Sequence, residues 1–138
     1  MFVAHTIWFA RPSSFFVMSE AESTQAVYVH WPWCAAKCPY CDFNSHVGQT
    51  ETSSDYLKAV IRDIKVMASS CDASRVHSIF FGGGTPSLMP PFLVEAIIQS
   101  ISDCFGLTSC VEITLEANPS SVENGKMSDF VRAGINRS

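Results

Sequence analysis

The sequence predicts an α/β domain built on a parallel sheet, and three observations carry that prediction. Short apolar runs of strand type alternate with longer runs whose apolar residues recur every three to four positions, in the order strand, loop, helix. That order repeats three times, and each strand runs directly into a loop bearing cysteines, glycines or an acid. Loops at the carboxyl ends of parallel strands are where α/β architectures place their ligands. The 138 residues, 47% hydrophobic and 16% charged, suffice for one domain with a core and exclude a disordered chain.

Residues 1–25 are expected to form a flexible N-terminal extension, and residues 26–138 the core domain. The first stretch, MFVAHTIWFARPSSFFVMSE, has no Lys or Arg before its first apolar run, which makes it a poor secretory signal. It carries one Arg and no acid before Glu20, the thin outline of a mitochondrial presequence; an upstream extension ahead of Met18 is the alternative. The expected location is cytoplasmic, or mitochondrial if that stretch is a presequence. No run reaches the length of a membrane span. A net charge of -4 without a run of Lys and Arg disfavours a nucleic-acid partner.

The first strand is Ala26-Val27-Tyr28-Val29-His30-Trp31, ended by Pro32. A cysteine loop follows. A helix is expected over 54–68, with Leu57, Val60, Ile61, Ile64 and Met67 on one face and Thr52 with Asp55 as a capping pair. The second strand, Arg75 to Phe81, runs into Gly82-Gly83-Gly84-Thr85-Pro86-Ser87. The next helix opens near Pro90 and Pro91, which suit a first turn where N–H groups lack partners. Its apolar face carries Leu93, Val94, Ile97, Ile98 and Ile101.

Val111, Ile113 and Leu115 then alternate with Glu112, Thr114 and Glu116 as a third strand. A third helix over 122–132 is closed by Gly134, and Ile135-Asn136 reads as the opening of a fourth strand. Three strands and the start of a fourth do not close a barrel. The chain is therefore expected to be the front part of a larger fold; a complete small three-layer domain is the competing reading.

Cys34, Cys38 and Cys41 stand within eight residues of the first loop. Thiolates are strong ligands for iron, zinc or an iron–sulfur cluster. Three of them leave one tetrahedral position free for a ligand. Spacing alone also allows zinc with His30 or His46 as fourth ligand, a redox dithiol at Cys38-Pro39-Tyr40-Cys41, or a structural role. Gly82, Gly83 and Gly84 let a backbone come close to something, in a tight turn or around a ligand. No Lys follows them, so they are not a P-loop. Thr85 offers a hydroxyl, and Glu116 ends its strand where it can accept hydrogen bonds from a cationic or hydroxylated ligand. Glu112, deeper on the same face, is expected to be structural, and two acids there require a partner. Cys71, Cys104 and Cys110 read as ordinary small apolar residues.

Taken in order, CxxxCxxC followed by FNSH, then FFGGGTPS, then TLEANP resemble the motifs of radical S-adenosylmethionine (SAM) enzymes. They are most similar to the oxygen-independent coproporphyrinogen dehydrogenase-like family and, within it, the heme chaperone branch, over 28–136. The resemblance implies the first three βα units of a partial (β/α)6 TIM-like barrel. It implies that Cys34, Cys38 and Cys41 ligate a [4Fe-4S] cluster whose open iron binds SAM. It also implies that Tyr28 and Tyr40 lie beside cluster and SAM, that Gly83, Gly84 and Thr85 line the methionine end, and that Glu116 helps hold the cofactor. In such enzymes the reduced cluster cleaves SAM to a radical that abstracts hydrogen, the cofactor carrying the hard chemistry.

The coproporphyrinogen dehydrogenases resemble CxxxCxxCxC, and Phe43 stands here at the place of the further cysteine. That departure favours the chaperone branch, which implies heme as cargo and an acceptor protein of unknown identity. Family members are much longer, so a truncated form without turnover is expected. A partial sheet exposes an edge and apolar surface. The 138-residue polypeptide made alone is therefore expected to aggregate or to melt without cooperativity; a monomer with a sharp thermal transition would refute this.

Overall fold

The computed structural model describes residues 7–10, 24–34, 46–47, 53–71, 75–117 and 124–138. Strand β1 (Ile7–Ala10) pairs antiparallel with β2 (Thr24–Trp31). Two short strands, β3 (Trp33–Cys34) and β4 (His46–Val47), form a separate parallel ladder. Helix α1 (Ser53–Ser70), β5 (Arg75–Gly83), α2 (Pro91–Phe105), β6 (Leu107–Leu115) and α3 (Asn124–Arg132) complete the order. The main sheet runs β1-β2-β5-β6, with β2, β5 and β6 mutually parallel. The expected strand–helix alternation is thus present. β1 adds a strand within residues 1–25 that the apolar pattern did not assign. The capping pair at Thr52 lies outside the described residues.

Period-two alternation decides what each strand buries. On β2, Gln25, Val27, Val29 and Trp31 are buried, while Ala26, Tyr28 and His30 remain partly exposed. On β5, Val76, Ile79 and Phe81 are buried. Val76 and Ile79 share a face despite odd spacing because His77 has no opposite residue: Gln25 pairs with Val76 and Ala26 with Ser78. Such a bulge flips the parity of the strand.

The buried strand residues meet Tyr56, Val60 and Ile64 of α1, Leu93, Val94, Ile97 and Ile101 of α2, and Phe130 of α3 in one core. Tyr56, one turn before Val60, takes a core place that the aliphatic period had not given it; Leu57 and Met67 pack at its margin. Among the described residues every helix covers the same face of the sheet. The three-layer alternative is therefore not what forms, since parallel sheets in that architecture are covered on both sides.

Helix α3 ends in a Schellman motif. Ile135 N–H donates to the Phe130 carbonyl (3.0 Å) and Gly134 N–H to that of Val131 (3.1 Å). Gly134 sits at φ +111°, and Phe130 and Ile135 are both buried beside it. The turn delivers Asn136 and Arg137 to the edge of β6. Asn136 Oδ1 accepts from Ile113 N–H (2.8 Å), its Nδ2 donates to the Val111 carbonyl (2.9 Å), and Arg137 bridges Thr114 in parallel. The fourth strand expected to open at Ile135-Asn136 is represented by a single bridge one residue on, at Arg137.

Three rings hold the top of the core. Trp31, Trp33 and Tyr56 meet pairwise edge-on at centroid distances of 4.6, 5.1 and 5.2 Å. Trp31 Nε1 is buried without a hydrogen-bond partner among the described residues, a cost the ring contacts offset in part. Tyr56 Oη–H donates to the His30 carbonyl at 2.7 Å, tying α1 to the end of β2.

Burial, and secondarily the neighbouring Tyr28, raises the Tyr56 pKa above its ordinary 10.0. The phenol is neutral in both folded and unfolded chains below pH 10, so its contribution to stability is complete there. It is lost as pH rises further and the unfolded chain ionises first. Tyr56→Phe is expected to cost about 1 kcal/mol at neutral pH, read as weaker hydrogen-exchange protection of β2 and β5 amides. That difference should shrink above pH 10, together with loss of the last tyrosinate absorbance to develop.

Candidate functional site

The cysteine loop is anchored at both ends. Pro32 interrupts β2, and Trp33–Cys34 then pairs with His46–Val47. His46 N–H donates to the Pro32 carbonyl at 2.7 Å. Cys34 and His46, which bound residues 35–45, therefore stand on adjacent strands, and Cys34 is buried. Cys38, Tyr40, Cys41 and Phe43 lie outside the described residues. Among the described residues no three His, Cys, Asp or Glu gather in a metal-ligating group, and Cys34 is the member of the triplet they include. His46 is exposed. Cys71 and Cys104 are half-buried, while Cys110 is exposed.

The glycine run meets the base of that loop. Gly84 N–H donates to the Trp31 carbonyl (2.7 Å) and Thr85 N–H to that of Trp33 (2.9 Å). These bonds carry the pairing past Pro32, up to Trp33. A Cβ added at Gly84 would stand 2.5 Å from the Trp33 carbonyl oxygen and 2.9 Å from Cys34 Sγ. One added at Gly82 would stand 2.8 Å from the Tyr28 ring, and one at Gly83 2.7 Å from the His30 imidazole. Gly83 also adopts φ +114°, which disfavours any side chain. The close approach foreseen at this run is therefore, first of all, an approach to the chain's own cysteine loop. Beyond it Thr85 opens the turn Pro86–Leu88, in which Ser87 is fully buried.

The face of the sheet away from the helices carries the remaining candidates in register. Tyr28 lies opposite Phe80, and Phe80 opposite Thr114. Tyr28 and Phe80 stack at 5.9 Å. One step along, His30 pairs with Gly82, and Glu116 N–H donates to the Phe81 carbonyl at 3.0 Å. Tyr28 Oη lies 3.4 Å from His30 Nδ1. Burial, and after it the Glu116 carboxylate, raise the Tyr28 pKa, so the phenol stays a neutral donor beside that acid. One step the other way, Glu112 pairs with Arg137 at 2.7 Å, the partner two acids on one face required.

Tyr28, Gly83, Gly84, Thr85, Glu116 and Cys34 thus converge at the carboxyl ends of β2, β5 and β6. Phe80 and the Trp31–Trp33–Tyr56 cluster were not singled out from the sequence, where His30 stood as a possible zinc ligand. Period two already set His30 on the Tyr28 face, whereas nothing local signals that Tyr56 reaches across to Trp33.

Among the described residues Cys34 is a soft ligand suited to a thiolate-held group, and glycine backbone borders its sulfur.

Comparison with known proteins agrees with this reading. The Radical SAM superfamily profile matches residues 28–137. The "Heme chaperone HemW" of Escherichia coli (strain K12) is 40% identical over 113 residues, 81% of this chain and 30% of that protein. The "Radical S-adenosyl methionine domain-containing protein 1, mitochondrial" of Danio rerio is 35% identical over 112 residues, 81% of this chain and 25% of that protein. The solved structure titled "Coproporphyrinogen III oxidase (HemN) from Escherichia coli is a Radical SAM enzyme" superposes with a TM-score of 0.74 at 25% identity, over 83% of this chain and 26% of that one. The chain spans between a quarter and three tenths of the length of these curated relatives. No helix among the described residues is long and apolar enough to cross a membrane. A parallel sheet flanked by helices as in a partial radical SAM barrel, the loops at its strand ends and the profile match together place the chain in the radical SAM superfamily, as a partial domain related to the HemW and HemN proteins.

Proposed function

We propose that residues 26–138 supply the cluster- and SAM-binding part of a radical SAM protein that handles heme, passing it to an acceptor protein as a heme chaperone. The observation that supports the proposal is the nearness of Gly84 to Cys34, whose Sγ lies 2.9 Å from where a Cβ on Gly84 would stand. In it Cys34, with Cys38 and Cys41, would hold a [4Fe-4S] cluster. The backbone at Gly83, Gly84 and Thr85 would take the methionine end of SAM, and Tyr28, Tyr40 and Glu116 would flank it. When bound and reduced, the cluster supplies the electron that cleaves SAM. The chain's own contribution is to place these groups, keep the Tyr28 proton on its oxygen and exclude water. Phe43, at the place of a further cysteine, supports the chaperone reading, as does the identity to a protein named for that role.

A second reading is an oxygen-independent coproporphyrinogen III dehydrogenase or another radical SAM oxidoreductase, supported by the structural match to HemN. The site is shared by both readings. A heme titration set against turnover of coproporphyrinogen separates them: saturable heme binding without turnover supports the chaperone, and turnover supports the enzyme.

Anaerobic reconstitution tests the site itself. About four irons and matching sulfide per chain are expected, with a spectrum that changes on adding SAM; zinc without sulfide would sink the proposal. Cys34→Ala should abolish the cluster, whereas a dithiol made of Cys38 and Cys41 would survive it. Gly84→Ala, which drives a methyl group into the Trp33 carbonyl and Cys34 Sγ, should weaken iron retention about 10–100-fold, measured at limiting iron.

A further inference from the structure

Strand β2 carries both halves of the site, and the two halves are held by different contacts. β5 pairs with β2 along its whole length, Thr24 to Trp31. On the opposite edge β1 covers only Ala26 to Val29, with Trp8 opposite Tyr28 and Ile7 opposite Val29. From His30 onward the chain is fixed by other partners. The His30 carbonyl takes the Tyr56 hydroxyl proton. Gly84 and Thr85 donate to the Trp31 and Trp33 carbonyls, and His46 N–H to that of Pro32. The Tyr28 half therefore leans on β1, and the Cys34 half does not.

β1 differs in kind from the other strands of its sheet. It is the antiparallel member, it lies at the edge, and it is four residues long. Antiparallel neighbours need only a two-residue turn, whereas residues 11–23 join these two. A short edge strand on a long connection opens at a far lower free energy than strands inside the core. Met18 falls within that connection, so any chain begun there has β2 without β1. Successive residues of a strand turn their N–H and C=O groups to opposite edges, so within 26–29 every second residue bonds to β1 and the others to β5.

We propose that Ile7–Ala10 is a releasable strap that sets the Tyr28 side of the site. In place, it fixes Tyr28 for SAM; withdrawn, it loosens the hold on SAM while the cysteine loop keeps its anchors. The inference rests on the site reading above. Its physical basis is the position of Tyr28, which is partly exposed on the face that no helix covers among the described residues. The ring stacks on Phe80 at 5.9 Å, and its hydroxyl lies 3.4 Å from His30 Nδ1. With no helix packed over it, the ring stands where the strand backbone puts it. Release of β1 leaves every second backbone group of 26–29 to water and lets that edge fray. At Cys34 the ladder to β4 and the bond from Thr85 to the Trp33 carbonyl remain.

The test is residue-resolved amide exchange on the full chain, with Trp8→Pro plus Phe9→Pro as the variant. Proline has no N–H, and of two adjacent residues one faces β2, so the pair removes a bond of β1 whatever its phase. Ser13→Pro with Ser14→Pro, outside β1, is the control. In the unmodified chain and the control, the amides of 26–29 that face β1 should exchange sooner than those that face β5. In the variant they should exchange at least about fivefold faster still, while the β5 and β6 amides hold. After reconstitution, iron content should match between variant and control, and the SAM concentration at half of the spectral change should rise about fivefold in the variant. Uniform protection along 26–29 in the unmodified chain, no acceleration in the variant, or acceleration shared by β5 and β6 overturns the strap. Faster exchange with unchanged SAM affinity, or with lost iron, overturns its link to the site. Failure of every protein to take up iron overturns the cluster reading instead, while amide exchange still decides the strap.

Discussion

The site depends on one close approach: the end of β5 lying against the chain that leads out of β2. Pro32 would ordinarily end the pairing of these strands, because it has no N–H to offer. Gly84 and Thr85 continue it by donating to the Trp31 and Trp33 carbonyls, which need no help from Pro32. A residue larger than glycine at Gly84 would collide with the Trp33 carbonyl. The pairing can thus extend to Trp33, the residue before the first cysteine, because the partner strand ends in glycine. Chemistry held by the loop thereby inherits the rigidity of the sheet, as precise positioning requires.

The two faces of the sheet do different work. The helix side is mainly aliphatic and aromatic, with Gln25 and the Trp31 indole N–H as polar groups among the buried strand residues. The other side carries Tyr28, His30, Phe80, Thr114, Glu112 and Glu116 at alternate positions. Arg137 answers Glu112, at the end of the sheet remote from the glycines. Glu116 acts instead on Tyr28, whose proton it helps to retain. Among the described residues the Glu112 charge is thus compensated by Arg137, while that of Glu116 acts on the Tyr28 phenol.

Much of this was legible in the sequence, for definite reasons. Strands and helices followed from periods of two and 3.6, and Gly134 announced the α3 terminus because a Schellman turn needs φ > 0. Tyr28, Glu116 and Gly82–Gly84 were traceable as strand-end positions. The bulge at His77 was not, since it leaves no mark but a break in parity that a mixed sequence such as Arg75-Val76-His77-Ser78 conceals. Strand β1 was missed because its pairing is fixed by β2, far along the chain, and not by any local alternation. Tyr56 was passed over because aliphatic period was counted while a phenol that can reach a carbonyl was not. Its partner, the His30 carbonyl, is 26 residues away.

Tyr56 shows how the helix layer and the site are joined. A buried phenol needs a partner for its hydroxyl, and the carbonyl it finds belongs to the residue whose ring stands against Gly83. The same ring packs on Trp33, the residue before Cys34. Displacing α1 would therefore disturb the strand end at His30 and the loop base at Trp33 together. Coupling of this sort, through one side chain with two independent contacts, is how an event on the outer face of a helix can be felt at a buried thiol. It also explains why the first helix after the cysteine loop spends an aromatic residue on its opening turn, where an aliphatic would fill the core as well but could neither bond to the His30 carbonyl nor stack edge-on against Trp33.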